Sequence, residues 1–92
     1  MENRFGSNLR ILRKKQKLTL ESLGETLKIS KSAISDYEIG KTFPPLDVCE
    51  TISNYFGINI DDLKNFNFAE LTDNQIEAII SSKNNNKPQK EA

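Results

Sequence analysis

Two helix-start signals that lie only eleven residues apart constrain this chain more than any other feature of its sequence. Thr19 and Ser30 each carry a hydroxyl that can accept a hydrogen bond from the free amides in the first turn of a helix. Glu21 follows the first signal and suits the positive end of a helix dipole. Because a helix that begins after Thr19 must end before Ser30, the spacing predicts a short helix, a turn of about three residues and then another helix.

The second helix of this pair is predicted to span residues 31–39. Ile34 and Tyr37 would face the core at helical spacing, and Gly40 would end the helix because glycine readily adopts the left-handed conformation. In the first helix of the pair, Gly24 falls within the apolar face, which indicates that another backbone passes close to it. The outward face of the second helix would carry four polar side chains: Lys31, Ser32, Ser35 and Asp36.

Helical patterns also account for most of the remaining chain. An apolar stripe in residues 5–12 predicts a helix before the pair, and Pro44 precedes a helix after it. Asn59 is the expected cap of a short fifth helix, and Thr72 with Gln75 forms a capping box for a sixth helix of about ten residues. In the helix after Pro44, the expected inward positions are Val48 or Cys49, Ile52, and Tyr55 or Phe56.

A chain of 92 residues can bury one compact core but not two. The patterns therefore predict an all-α protein in which five helices form one domain at residues 4–64, with the short helical pair at residues 19–39. Residues 65–83 would form a linker and an additional short C-terminal helix. Residues 84–92 are mostly polar and cannot bury enough apolar surface to offset ordering, so this tail is predicted to be disordered.

The composition argues against several classes of function. No apolar run approaches the roughly eighteen residues that cross a bilayer, and no export signal opens the chain, so a cytoplasmic protein is expected. A single cysteine, Cys49, and the absence of histidine argue against a disulfide, a metal site or a cofactor, and Cys49 is expected to be a small buried side chain. An enzyme is disfavoured because the sequence offers no nucleophile-base arrangement or glycine-rich phosphate loop, and no small-molecule substrate is evident.

The formal net charge is zero, but the charges are unevenly distributed. Residues 1–45 hold nine basic side chains against five acidic ones, and residues 46–92 hold four against eight. The two halves therefore carry +4 and −4 at neutral pH. The first half can face a polyanion such as DNA while the second faces solvent or another subunit.

Taken together, these features resemble the phage-repressor and Cro type of helix-turn-helix domain, known as the XRE family of DNA-binding regulators. The resemblance covers residues 5–64, about two thirds of the chain. It is carried by the segment LTLESLGETLKISKSAISDYEIGKTFP and by the segment LDVCETISNYFGINIDDL that follows it. It implies a five-helix, lambda-repressor-like domain that binds double-stranded DNA by placing the helix after Ser30 in the major groove.

The resemblance also implies roles for individual residues. Family members contact base edges from the exposed start of this helix, and lysine, serine and aspartate can hydrogen-bond to guanine, to several bases and to cytosine respectively. Phosphate contacts are expected from helix-start amides, small hydroxyls and the turn after Gly40. The implied base-contacting residues are Lys31, Ser32, Ser35 and Asp36, and the implied phosphate-contacting residues are Thr19, Leu20, Ser30, Lys41 and Thr42.

Two further expectations follow from the family pattern. Arg13, late in the first helix, is expected to form a structural ion pair with Glu38, late in the third helix. Leu20 departs from the family, which usually has a phosphate-contacting glutamine at this position, and Asp36 adds a negative charge near the DNA.

The sequence therefore predicts a sequence-specific transcriptional regulator, in this fold more often a repressor than an activator, that binds an inverted-repeat operator as a homodimer. The alternative is a protein-interaction module of the same fold, such as an antirepressor or a toxin-antitoxin component, with weak or no DNA binding. A set of apolar side chains after the domain either forms the dimer contact or packs back onto the first and fifth helices. These side chains are Phe66, Phe68, Ile76, Ile79 and Ile80.

Overall fold

The computed structural model describes the backbone of residues 4–86 and the side chains of residues 4–80. Every regular element in that range is helical, which confirms the predicted all-α class of five helices followed by an additional C-terminal helix. None of these helices is long and apolar enough to cross a bilayer. The elements are α1 (Phe5–Lys15), α2 (Leu20–Leu27), α3 (Lys31–Ile39), α4 (Leu46–Phe56), α5 (Ile60–Asn65), a 3₁₀ turn (Phe68–Glu70) and α6 (Asp73–Asn86).

The helix pair begins where the capping signals predicted. The Thr19 hydroxyl accepts a hydrogen bond from the Ser22 amide at 2.9 Å, and the Ser30 hydroxyl accepts one from the Ala33 amide at 3.1 Å. Each bond satisfies one of the amides that the first turn of a helix leaves without a backbone partner. At the other end of α3, Gly40 has a φ of 80°, the left-handed conformation expected of a helix-ending glycine.

α1 is the central element of the core because its apolar stripe is completely buried. Phe5 and Leu9 are inaccessible to solvent, and the helix packs against α3, α5 and the 3₁₀ turn. From α4 the buried side chains are Cys49, Ile52 and Phe56, which resolves the alternatives that the sequence left open at its inward positions. The other core side chains are Leu12, Leu23, Ile34, Ile58, Leu63, Phe68 and Ile76.

Cys49 is a buried part of this core, as expected for a small apolar side chain. Its thiol lies 3.5 Å from the Pro44 carbonyl oxygen. Burial raises the pKa of the Cys49 thiol, so the reactive thiolate is disfavoured. Cys49 therefore acts in packing.

Two glycines mark places where backbones approach so closely that no Cβ fits. At Gly24, where the sequence predicted such an approach, a Cβ would lie 2.5 Å from the Ile29 carbonyl oxygen in the turn after α2. At Gly6, which the sequence pattern did not single out, a Cβ would overlap the Tyr37 carbonyl oxygen of α3. The backbones of α1 and α3 are therefore nearly in contact at Gly6.

A buried asparagine joins α1 to the chain that leaves α5. Asn8 is fully buried, and its side-chain amide donates to the carbonyl oxygens of Leu63 and Phe66, both at 2.7 Å. Its Oδ1 accepts a hydrogen bond from the Phe68 amide at 3.1 Å. Asn8 thus supplies partners for three backbone groups in a turn that helix hydrogen bonding does not satisfy.

α6 packs back onto α1. Thr72 and Gln75 form both hydrogen bonds of the predicted capping box, at 2.9 and 3.1 Å. From α1, the Lys15 ammonium lies 3.6 Å from the Asp73 carboxylate and 3.2 Å from the Glu77 carboxylate. Both carboxylates are largely exposed, so these ion pairs direct the docking of α6 more than they stabilise it.

α6 is also longer than the sequence indicated. It continues to Asn86, so it includes residues 84–86, for which disorder was predicted. The rest of the predicted disordered tail, residues 87–92, lies outside the described residues.

The apolar side chains predicted for dimerisation divide between the core and the surface. Phe68 and Ile76 are buried in the chain's own core, as in the alternative of packing back onto the domain. Phe66 is 41% exposed, and Ile79 and Ile80 are half-buried at the edge of the core. Phe68 and Ile76 are therefore unavailable to a second copy in this fold, and only the other three side chains leave apolar surface for one.

Replacing Asn8 with alanine should destabilise the fold by about 2 to 4 kcal/mol, because the Leu63 and Phe66 carbonyls and the Phe68 amide would lose their partner inside the protein. Urea unfolding monitored by circular dichroism measures the change in unfolding free energy. The matched control, Asn54→Ala, removes an exposed asparagine from α4 and should change that free energy by less than about 0.5 kcal/mol. Equal effects of the two substitutions would show that Asn8 does not hold the C-terminal segment.

Candidate nucleic-acid interface

α2 and α3 are joined by a three-residue turn, Lys28 to Ser30. Lys28 ends α2 with a left-handed φ of 61°, and the Ile29 amide donates to the Gly24 carbonyl at 2.9 Å. Leu23 of α2 and Ile34 of α3 are both inaccessible to solvent. The apolar faces of the two helices are therefore used for packing, and their polar faces are left outward.

The outward face of α3 is a polar surface that begins at the first turn of the helix. Lys31 and Ser32 are exposed, and Ser35 and Asp36, one turn later, are half-buried. Residues three or four positions apart share a helix face, so the structure brings these four predicted base-contacting side chains together. A helix edge of this kind can enter a DNA major groove, which is about 12 Å wide.

The predicted phosphate-contacting residues at the helix starts differ in what they can donate. Ser30 uses its oxygen to accept from the Ala33 amide, which leaves the hydroxyl proton for an anionic oxygen. Thr19 donates its proton to the Ser22 hydroxyl at 2.9 Å, so this side chain supports the start of α2. Leu20 has a half-buried apolar side chain packed against the core, so only its backbone amide can donate to a phosphate.

The Asp36 backbone carbonyl holds the turn after α3. The amides of Lys41 and Thr42 both donate to the Asp36 carbonyl oxygen, at 2.9 and 3.5 Å. The side chains of Lys41 and Thr42 are exposed. A phosphate contact from this turn would therefore use the Lys41 ammonium and the Thr42 hydroxyl.

Arg13 and Glu38, the predicted partners, form a bidentate ion pair that joins α1 to α3. Arg13 Nε lies 2.7 Å from Glu38 Oε2, and Arg13 Nη2 lies 3.1 Å from Glu38 Oε1. Arg13 Nη1 also donates to the Leu18 carbonyl oxygen at 2.8 Å, just before α2. The two charged side chains are only 10% and 5% exposed. Because the guanidinium fork is rigid and directional, these bonds fix α3 relative to α1 and to the start of α2.

Charges of both signs surround the start of α3. A shallow concavity of about 330 Å³ lies between α2 and the turn that leads into α3. Glu21 and Glu25 line it together with Lys28, Ser30 and Lys31. A polyanion that approaches here is attracted by the lysines and repelled by the carboxylates, so its binding depends on a small number of cations.

The pair of capped helices, the short turn and the packed third helix match a known family model. The model, described as Helix-turn-helix, matches residues 9–63, more than half of the chain. The chain belongs to the XRE-type helix-turn-helix family of DNA-binding transcriptional regulators. This confirms the family that the sequence motifs suggested.

Curated relatives of this helix-turn-helix chain are named as transcriptional regulators. It is 41% identical over 59 residues to the HTH-type transcriptional activator BcrR of Enterococcus faecalis, a match that covers 64% of this chain and 29% of BcrR. It is 40% identical over 57 residues to the uncharacterized HTH-type transcriptional regulator YobD of Bacillus subtilis strain 168, covering 62% of this chain and 51% of YobD. The match therefore spans about half or less of the length of these relatives.

A solved structure shares the fold. It is a transcriptional regulator from Listeria innocua, similar with a TM-score of 0.66 and 22% sequence identity. The likeness covers 98% of this chain and 84% of that chain. At this level of identity it concerns the fold alone.

The left-handed conformation of Lys17 and Lys28 and the buried hydrogen bonds of Asn8 were not predicted from the sequence. Lys17 and Lys28 have positive φ angles of 60° and 61°. Glycine or asparagine in a sequence can indicate this backbone conformation, whereas lysine does not. The burial of Asn8 could have been predicted, because it is a polar residue between Phe5 and Leu9 on the apolar stripe of α1. A buried polar side chain at such a position requires hydrogen-bond partners.

Removing either member of the ion pair, by Arg13→Ala or Glu38→Ala, should destabilise the helix-turn-helix fold by about 3 to 5 kcal/mol, because the remaining charge stays buried without a partner. The double variant should lose less unfolding free energy than the two single variants lose together. Chemical unfolding of the wild type, the two single variants and the double variant measures this difference as a double-mutant cycle. Lys14→Ala, an exposed neighbour on α1, is the control and should change stability by less than about 0.5 kcal/mol. Additive single losses would contradict a direct interaction.

Proposed function

We propose that this chain is a sequence-specific, double-stranded DNA-binding transcriptional regulator that places α3 in the major groove as its recognition helix. The observation that carries the proposal is the outward polar surface of α3 on a rigidly held helix. Ile34 anchors the opposite face of α3 in the core, and Glu38 ties its end to Arg13. Rigid support favours base recognition because the contacting atoms must be held within a fraction of an ångström.

The chemistry of the α3 surface suits particular bases. Lys31 can donate to the O6 and N7 acceptors of guanine, and Ser32 can hydrogen-bond to several bases. Asp36 can accept from the N4 amine of cytosine, with Ser35 beside it. We therefore expect a guanine and a cytosine among the specified bases of each half-site.

Phosphate contacts would keep α3 in position along the duplex. Ser30 offers a hydroxyl proton, and Lys41 and Thr42 offer exposed donors at the opposite end of the helix. The first amides of α2, beginning at Leu20 and held by the Thr19 cap, offer further donors. Such contacts orient the protein without reading sequence.

A homodimer on an inverted repeat is part of the proposal. Two helix-turn-helix domains related by twofold symmetry bind half-sites about 34 Å apart. The principal extents of the structure are 40 × 28 × 26 Å, so two copies at that spacing would lie close enough to touch. Of the apolar side chains predicted for dimerisation, the three that remain partly exposed after packing, Phe66, Ile79 and Ile80, are the proposed contact.

We further propose that the bound dimer represses transcription by covering its operator. The relative BcrR is named as an activator, so the direction of regulation needs a direct measurement. A reporter gene placed behind a promoter that contains the selected operator provides it. Expression of the protein should lower reporter output, and a rise would assign activation.

A protein-interaction module of the same fold is the second candidate. It is favoured by the zero net charge, by the apolar Leu20 and by Asp36, which reduce the attraction for phosphate. A mobility-shift series at increasing salt separates the two functions. A DNA-binding regulator should lose affinity with a log-log slope of about −0.9 per phosphate contact, whereas an interaction module would retain no duplex even at low ionic strength.

Base-reading and phosphate-contacting residues should respond differently to substitution. After selection of bound sites from random duplexes, Lys31→Ala or Ser32→Ala should relax the preference at one or two base pairs, with a loss of about 1 to 3 kcal/mol on the selected operator. Lys41→Ala should weaken binding to operator and scrambled duplex alike and reduce the salt slope by about 0.9 per protomer. Titration of each variant against both duplexes measures these effects. If Lys31→Ala weakens binding to the two duplexes equally, Lys31 does not read a base.

The proposed dimer contact is tested by point substitution, since deleting the C-terminal segment would also remove Phe68 and Ile76 from the core. Phe66→Ser should weaken dimerisation about tenfold, because it removes apolar surface at the contact. Sedimentation velocity over a range of protein concentrations measures the monomer-dimer equilibrium. The control is Leu46→Ser, which removes an apolar side chain that is 67% exposed on α4. If Leu46→Ser weakens the dimer and Phe66→Ser does not, the contact lies elsewhere.

A further inference from the structure

We propose that Lys17 and Lys28 are additional phosphate-contacting residues of the DNA interface, one at the start of α2 and one at the start of α3. This inference rests on the proposed DNA binding of the helix pair. It adds to the interface one residue from the segment before α2 and one from the turn between α2 and α3. The two lysines would then add to the electrostatic attraction of the other exposed cations.

Cations in the basic half of the chain are either ion-paired within the protein or exposed on its surface without such a pair. Arg13 and Lys15 form ion pairs with carboxylates of α3 and α6 respectively. Lys17 and Lys28 are exposed, and neither is ion-paired with any acidic side chain in residues 4–80. Since the chain as a whole is neutral, its attraction for a polyanion depends on such exposed cations, which also include Arg10, Lys14, Lys31 and Lys41.

The two lysines occupy equivalent positions relative to the two helices. Lys17 lies two residues before Thr19, the cap of α2, and Lys28 lies two residues before Ser30, the cap of α3. Lys28 also lines the concavity that contains Ser30 and Lys31. Each lysine can therefore bring a long, flexible, ammonium-bearing side chain to a phosphate at the adjacent helix start.

Neither lysine is explained by the backbone conformation of its own position. With φ angles of 60° and 61°, both residues lie in the left-handed region, where a Cβ is unfavourable and glycine fits better. Lysine therefore gives the fold no advantage at either position. What it adds is the charged side chain, and both side chains are on the surface.

Glycine substitution separates binding from stability at these two positions. Lys17→Gly and Lys28→Gly should each raise the melting temperature by about 2 to 6 °C, because glycine is relaxed in the left-handed conformation. Each should also weaken binding to the selected operator about fivefold per bound protomer at roughly 0.15 M salt and reduce the salt slope by about 0.9 per protomer. The loss should be the same on scrambled duplexes, since phosphate contacts carry no sequence information.

Two controls complete the experiment. Lys17→Arg and Lys28→Arg keep both charge and backbone conformation, so their affinity and melting temperature should match the wild type. Lys64→Gln removes a charge from α5, which packs mainly on α1 and α4, and should leave the salt slope unchanged.

The proposal is overturned if the glycine variants bind as tightly as wild type with the same salt slope, or if they lose melting temperature and affinity together. It is also overturned if Lys64→Gln weakens binding as much as they do, because net charge alone would then account for the effect. A wild-type chain that retains no duplex at low ionic strength contradicts the proposed function itself, whereas a wild type that binds while the glycine variants bind equally well contradicts only this inference.

Discussion

The Arg13 guanidinium is the point at which the helices of the candidate interface are held in one arrangement. It donates twice to Glu38 near the end of α3 and once to the Leu18 carbonyl just before α2. A buried ion pair adds little net stability, because removing two charges from water offsets most of their attraction. Its contribution is geometric, since α3 cannot slide or rotate without breaking charge-assisted bonds of fixed direction. The close approach of the α1 and α3 backbones at Gly6 acts in the same way, because it leaves no space between the helices for adjustment.

Local signals made the helix pair predictable, whereas long-range contacts leave little local signal, and the Arg13–Glu38 pair was expected only from the family resemblance. A helix cap depends on one residue and the next three, so Thr19 and Ser30 could be identified from the sequence alone. The polar surface of α3 follows from helical periodicity, so its four candidate residues could also be named. The partners of Asn8 lie 55 to 60 residues further along the chain, and no local pattern indicates them. The left-handed lysines were missed for a different reason, because lysine carries no conformational signal for that region.

α1 connects the helix pair to the C-terminal segment, for which the sequence left open both dimerisation and packing onto the domain. Besides holding α3, it receives Phe68 and Ile76 through the turn that Asn8 fixes, and it pairs Lys15 with carboxylates of α6. The C-terminal segment is therefore part of the folded domain, and its apolar residues are partly consumed by its own core. A second copy can use only the surface that remains, so the proposed dimer contact is smaller than the apolar sequence pattern suggested. A small contact of this kind suits association that is completed on DNA, where two adjacent half-sites raise the effective concentration of the partners.

Charge sets the balance between affinity and specificity in the proposed binding of this neutral chain to DNA. Acidic side chains of α6 pair with Lys15, and charges farther than about 8 Å from the DNA are largely screened at physiological salt, so the field at α3 depends on its nearest residues. There, Glu21 and Glu25 oppose the lysines of the same concavity. Because phosphate attraction contributes equally to every sequence, weakening it lowers affinity for all duplexes and leaves discrimination to the base-contacting side chains. The proposed homodimer would offset this loss of affinity, because two half-sites would be occupied together.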